Sequence, residues 1–237
     1  MKKIAFFVFT IVLGANFLPL SAQSVYLGGV FPTIDHSGML TKRLEYSLYY
    51  FGAFPLLNLK SPNLKNDARF LLFYAEQGLS LNVNAKLSLN ASYVYQRENI
   101  GQENFVNENR LHVQASYKHA AASIQLKHRL RLDNRFIQNR ATGKTPYTHR
   151  LRYLLGIDFP ISAQRTNLYF TAYEEAFFNT YSSASSVYGE NWAYAALGIK
   201  LNDHHKIESG PLYITWNTGG KAWLHQFYLQ LTWLSRL

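Results

Sequence analysis

From Lys127 to Phe136 the chain alternates without a break. Lys127, Arg129, Arg131, Asp133 and Arg135 fall on one parity, and His128, Leu130, Leu132, Asn134 and Phe136 on the other. Period-two alternation describes a β-strand with one mostly charged and one mostly apolar face. A soluble sandwich turns the apolar face to its core and the charged face to water. The other solution is a strand turned inside out, with its apolar side in lipid and its charges in an enclosed lumen. The rest of the chain has to decide between them.

Segments of the same kind recur at 40–54, 67–83, 86–97, 108–119, 147–159, 166–179, 190–201, 205–216 and 223–235. With the strand at 127–136 they make about ten. Sandwich strands usually run to about five or six residues, whereas a tilted strand needs roughly 9 to 11 to cross a hydrocarbon core; these segments have the second length. Their connections also alternate. Those around 84–85, 120–121, 160–165 and 202–204 are short, and those at 55–66, 98–107, 137–146 and 180–189 are longer and polar; 217–222 is the exception, external by parity but short. Short turns at one end and longer loops at the other are the pattern of an outer-membrane barrel. The expected fold is therefore all-β, a transmembrane antiparallel up-and-down β-barrel of about ten strands, with twelve as the alternative.

The N-terminal stretch agrees. Met1-Lys2-Lys3 precedes an apolar run from Ile4 to Leu13, and Ser21-Ala22-Gln23 offers a small residue at a cut site, the pattern of a secretory signal peptide over 1–22. Residues 23–39 are expected as a periplasmic lead-in or plug and 40–237 as the barrel. The chain has no cysteine, which removes a lipoprotein anchor, disulfides and thiolate metal sites. Its formal charge is +10, but the basic residues occupy alternate strand positions and not one tract or helix, so nucleic acid is not an expected partner. Aromatic residues make up 16%. Tyr46, Tyr50, Tyr95, Tyr117, Tyr153, Trp223 and Trp233 lie near strand ends, where membrane–water belts would hold them.

The stretches YAEQGLSLNVNAKLSLNASYVYQRE (74–98), ENRLHVQASYKH (108–119), LKHRLRLDNRF (126–136), HRLRYLLGIDFP (149–160) and YEEAFFN (173–179) follow one another in a characteristic order. Over roughly residues 70–237 the chain resembles a family of uncharacterised outer-membrane β-barrel proteins of Gram-negative bacteria, grouped as a domain of unknown function. Repeated arginine on the fifth and sixth strands and the spacing of Glu175 and Asn179 carry the resemblance. Members of that family often have Asn-Arg where this chain has Asn191-Trp192, so one lumenal charge that the resemblance implies is missing. The resemblance implies a fold and a location in the outer membrane, and no activity.

By parity, a lumen would hold Arg43, Arg110, Lys127, Arg129, Arg131, Arg135, Arg150, Arg152 and Lys200 with Glu45, Glu76, Asp133, Asp158 and Glu175. Buried charges need partners, and arginine forks suit carboxylates. The first reading is a salt-bridged interior in which Glu76 and Glu175 brace Arg110, Arg129, Arg131, Arg150 and Arg152. The second is a small anion-preferring pore, since rings of basic residues select anions. A third, an outer-membrane lipid hydrolase, has little support. Tyr147-Thr148-His149 is followed by Arg150-Leu151-Arg152, which lacks a serine nucleophile, and the remaining candidate is His112 with Ser92 or Ser116. Neighbouring Glu174 and Glu175 point to opposite faces and cannot form an acid–base dyad. His204-His205 reads as a turn, not a metal site. The expectation is a non-enzyme with no cofactor and no metal. Its partners would be outer-membrane lipid and lipopolysaccharide, the barrel-assembly machinery, and small anions if the lumen is open.

Overall fold

Among the described residues eleven strands form one sheet that closes on itself. They are β1 (Val25–Met39), β2 (Leu44–Asn58), β3 (Leu72–Asn82), β4 (Leu87–Glu98), β5 (Val106–Ala121), β6 (Ile124–Asn139), β7 (Tyr147–Pro160), β8 (Leu168–Tyr181), β9 (Tyr188–Lys200), β10 (His205–Gly219) and β11 (Ala222–Arg236). The computed structural model describes residues 25–58, 70–100, 105–139, 142–162, 167–181, 187–219 and 222–237, and none of these is helical. The signal peptide expected at 1–22 lies outside them.

Ten of these strands are those read from the alternation. The eleventh corrects the reading of 23–39: from Val25 to Met39 this segment is neither lead-in nor plug but part of the wall. The reason is hydrogen bonding. Loose in a lumen, an extended segment would leave its own amides and carbonyls unpaired, and β2 and β11 would remain open edges. As β1 it pairs with both. The described residues thus give eleven strands, between the ten and twelve expected, and parity has a consequence. Neighbours in an up-and-down ring alternate in direction, so with an odd number the first and last strands run the same way. The β1–β11 pair is parallel, and every other pair is antiparallel.

The register fixes the width. Stepping across paired residues from Val25 through Leu224, Trp216, Glu190, Phe177, Arg152, Arg131, Gln114, Asn90, Ser80 and Glu45 returns to β1 at Met39, fourteen residues below the start. An eleven-strand ring with that stagger has strands tilted by roughly 40° and a backbone radius of roughly 11 Å. Across such a lumen long side chains from opposite walls meet, while serine and glycine leave space.

The strand of residues 127–136 is inside out. Leu130 is 50% exposed on the outer face, whereas Asp133, on the opposite parity, is wholly buried. Leu89, Leu111, Val113, Leu229 and Leu231 continue the exposed apolar surface around the barrel. This face also carries aromatic rings whose polar tips are paired. His128 and the Tyr153 hydroxyl are 2.9 Å apart, Tyr147 donates to Asn134 at 2.9 Å, and Tyr213 and His225 are 2.7 Å apart.

One close approach is a weak point. The β9–β10 ladder is broken between Ser209 and Leu212, where Pro211 has no N–H to give. A Cβ on Gly210 would lie 2.0 Å from the Ala195 carbonyl oxygen and 2.6 Å from the Ala196 Cα, both backbone. Gly210→Ala must push the strands apart. It is expected to lower unfolding stability by about 3 kcal/mol, read as a shift in the urea midpoint of the refolded protein.

Candidate functional site in the barrel lumen

The inward parity of β3 to β9 carries the charges. Glu76 accepts from the Tyr74 hydroxyl at 2.6 Å and from Arg131 Nη1 at 3.3 Å, and His112 Nε2 lies 3.1 Å from its Oε1. Arg131 Nε donates to Gln114 at 2.9 Å. Glu175 takes both prongs of Arg152, at 2.9 and 2.7 Å, and has Arg129 Nη2 at 2.8 Å. Arg150 donates to Asp133 at 3.0 and 3.1 Å and to Glu190 at 2.9 Å. Glu108 holds Arg135 bidentately at 2.7 Å and accepts from Arg110 Nε at 2.7 Å.

All seven residues expected at the site, Glu76, Arg110, Arg129, Arg131, Arg150, Arg152 and Glu175, therefore face the lumen and are brought together. Each arginine has a carboxylate within 4 Å. Some outer members of the expected set sit elsewhere. Arg43 is in the exposed turn before β2, and Lys200 is exposed at the lower end of β9. Lys127 pairs with Asp158 near the short-turn rim. Glu108 and Glu190 were not among the expected acids, although each shares parity with a named neighbour, Arg110 and Trp192, and could have been found that way.

Charge is only half of the lumen. Trp192, which stands where the resembling family often has arginine, faces inward and donates to Glu190 at 2.6 Å. It joins an aromatic set from strands on either side of the closure. Phe31 stacks on Phe51 at 4.7 Å and Phe51 on Tyr74 at 4.4 Å. The Arg110 guanidinium lies over Tyr74 at 5.8 Å and 3.6 Å from Asp133. Asp133 is 3.8 Å from Arg152, Arg152 sits over Phe177 at 4.2 Å, Phe177 meets Trp192 at 5.8 Å, and Trp192 meets Phe31 at 5.8 Å. These contacts close a circuit through the middle of the barrel. Phe51 and Trp192, 5.9 Å apart, bridge it from within. Phe31, Asp133, Arg110 and Phe177 are all at most 2% exposed. The circuit therefore constricts the lumen at that height, a septum aromatic on one side and ionic on the other, and the lumenal cavity has lining residues both above and below it.

Catalytic geometry does not assemble around His112. Its Nε2 is directed at Glu76, Ser92 donates to Asn90 at 2.8 Å, and Ser116 accepts from Gln114 at 3.2 Å. Neither serine donates to the imidazole, as an activated nucleophile would. His149 lies on the outer wall, its ring edge-on to Tyr147. His204 sits in the turn before β10, its Nδ1 2.7 Å from the Arg236 carbonyl. Glu174 points outward and accepts from Asn191 at 3.2 Å.

A family model described as a protein of unknown function (DUF2490) matches residues 61–225. No curated protein matches the chain. Among solved structures, an anion-selective porin from Comamonas acidovorans aligns at 12% identity and a TM-score of 0.34, over 81% of this chain and 55% of the porin. The chain thus spans about half of that porin's length, and a likeness at this level carries nothing about function.

Proposed function

The chain belongs to the DUF2490 family of proteins of unknown function, which lends no activity, and from the lumen we propose an outer-membrane β-barrel that does not conduct: a structural or interaction protein with a braced, occluded interior. The observation that carries this reading is the septum. The outer apolar face supports a place in lipid, where the barrel-assembly machinery would insert it among outer-membrane lipid and lipopolysaccharide. The anion-preferring pore is the weaker reading. It needs arginines free to attract anions, and Arg110, Arg129, Arg131, Arg150 and Arg152 are each engaged by a carboxylate. For the lipid-hydrolase reading, neither Ser92 nor Ser116 is bonded to His112. This barrel is expected to act through what its surface or rims bind.

Two measurements test it. The refolded protein should resist cold SDS and shift in mobility on boiling; a single mobility throughout would count against a closed membrane barrel. In a planar lipid bilayer it should give no discrete current steps. Reproducible anion-preferring steps would replace this reading with the pore.

A further inference from the structure

The short-turn mouth of the lumen is built differently from the middle. On β5 and β6, Lys118 and Lys127 stand directly opposite each other in the register, and on β9 and β10 Lys200 and Lys206 do the same. All four share the inward parity of their strands, so each pair sets two ammonium groups side by side. Like charges directly opposite on neighbouring strands destabilise a sheet. Lys118 and Lys200 are exposed, and Lys127 and Lys206 are half-buried, so the four ammonium groups are open to a ligand.

Contacts join the two pairs into one arc. Lys127 pairs with Asp158 of β7, and Asp158 accepts from Thr171 of β8 at 2.7 Å. Two residues along β8, on the same face, Tyr169 has the Lys206 ammonium 5.7 Å over its ring and donates to Glu208 at 2.8 Å. Four lysines thus share this arc with the carboxylates of Asp158 and Glu208. Lys118, Lys200 and Lys206 have no carboxylate within ion-pair distance among the described residues. Of the other acids at this end, Asp35 is held by Arg236 and Glu45 by Ser37, and Asp203 is in the exposed turn between β9 and β10. The arc is clear of the septum. Lys118 lies eight residues past Arg110, Lys127 six before Asp133 and Lys200 eight past Trp192, each on the same strand as its septum residue.

We propose that this lysine arc binds a small soluble anion carrying two or more phosphate groups, with one phosphate on each lysine pair. Two adjacent ammonium groups suit a phosphate, whose oxygens accept several charge-assisted hydrogen bonds at once. A bound anion would also offset the like-charge opposition within each pair. The pairs are four strands apart, so on the radius given above their backbones stand roughly 20 Å apart across the mouth. Lysine stems reach inward from both sides; one phosphate serves one pair, and a short oligophosphate serves both. The inward parity favours a soluble ligand, because lipid headgroups surround the outer face. The arc supplies a ligand class to the reading of an occluded barrel that acts through its surface or rims, and it rests on that reading.

The test is calorimetric titration of the full chain, folded in a non-ionic detergent at low ionic strength, with tripolyphosphate as the probe and orthophosphate beside it. Tripolyphosphate should bind saturably at one site, about tenfold or more tighter than orthophosphate. Lys118→Gln and Lys206→Gln should each weaken it about tenfold. Both relieve a like-charge pair, so both should keep the boiling-dependent mobility shift. Lys42→Gln removes the same charge from the exposed turn before β2 and should leave the affinity unchanged. No saturable binding, or an equal loss in all three variants, overturns the arc. Displacement of tripolyphosphate by micelles doped with phosphatidic acid overturns the soluble ligand and assigns the lysines to lipid headgroups. Failure of the occluded reading looks different: current steps in a bilayer, whether or not tripolyphosphate binds. Silence with no binding retains the occluded lumen and discards the arc.

Discussion

Asp133→Leu is expected to cost about 3–5 kcal/mol of unfolding free energy. Asp133 has no exposed surface and lies within 4 Å of Arg110, Arg150 and Arg152. Leucine keeps the branched outline with larger, uncharged tips and leaves three guanidiniums crowded together. Glu108, Glu190 and Glu175 hold them individually, yet no longer balance them at the centre. Urea unfolding of the refolded protein, followed by tryptophan fluorescence, measures the loss. The comparison is the Asp35–Arg236 pair at the rim, where the side chains are 30% and 42% exposed; removing it should cost less than about 1 kcal/mol. Equal losses at the two places would mean that the central network is as solvated as the rim, and the septum would have to be abandoned.

The second large effect is a gain of conductance. Phe51 and Trp192 bridge the aromatic side of the septum from strands far apart in the ring. Truncating both to alanine removes the contact that spans the axis while leaving the ionic side in place. Wild type should be silent in a bilayer, and the Phe51→Ala/Trp192→Ala variant should show discrete steps. Its ion preference should be weak, because the arginines beside the new opening already carry carboxylates. Each truncation also forfeits about 3–5 kcal/mol of packing if the site does not collapse, so the variant is scored only where the boiling-dependent mobility shift persists. A folded but silent variant would place the closure of the lumen elsewhere.

These two predictions concern residues that differed in how far sequence revealed them. Asp133 and its arginines could be read from parity alone, since a strict alternation fixes which side chains share a face. The same rule hid the aromatic half. It sorts apolar residues outward, and Phe31, Phe51, Tyr74 and Phe177 lie on the inward parity with the charges and with Trp192. What brings them together is the width of the ring, which depends on register between strands and not on any local pattern. The strand β1 was obscured for a different reason. Gly28, Gly29, Pro32 and Gly38 dilute its β character, and its faces do not separate by polarity: Phe31, Thr33, Asp35 and Ser37 face in, Pro32, Ile34 and His36 face out. Only the need to pair two sheet edges identifies it.

The parallel pairing of β1 with β11 also bears on how the barrel comes to exist. Every other neighbour pair joins segments consecutive in the chain, so each can zip as a local hairpin. The closing pair joins residues such as Thr33 and Thr232, nearly the whole length of the protein apart, and no shorter-range contact can stand in for it. Loop-closure entropy is met all at once at that seam. Until it forms, both edges of the sheet and the inward charges stand open. Closure is then the step that commits the chain, and its timing, more than the stability of any one strand, governs how long the unfinished sheet is exposed to misassembly.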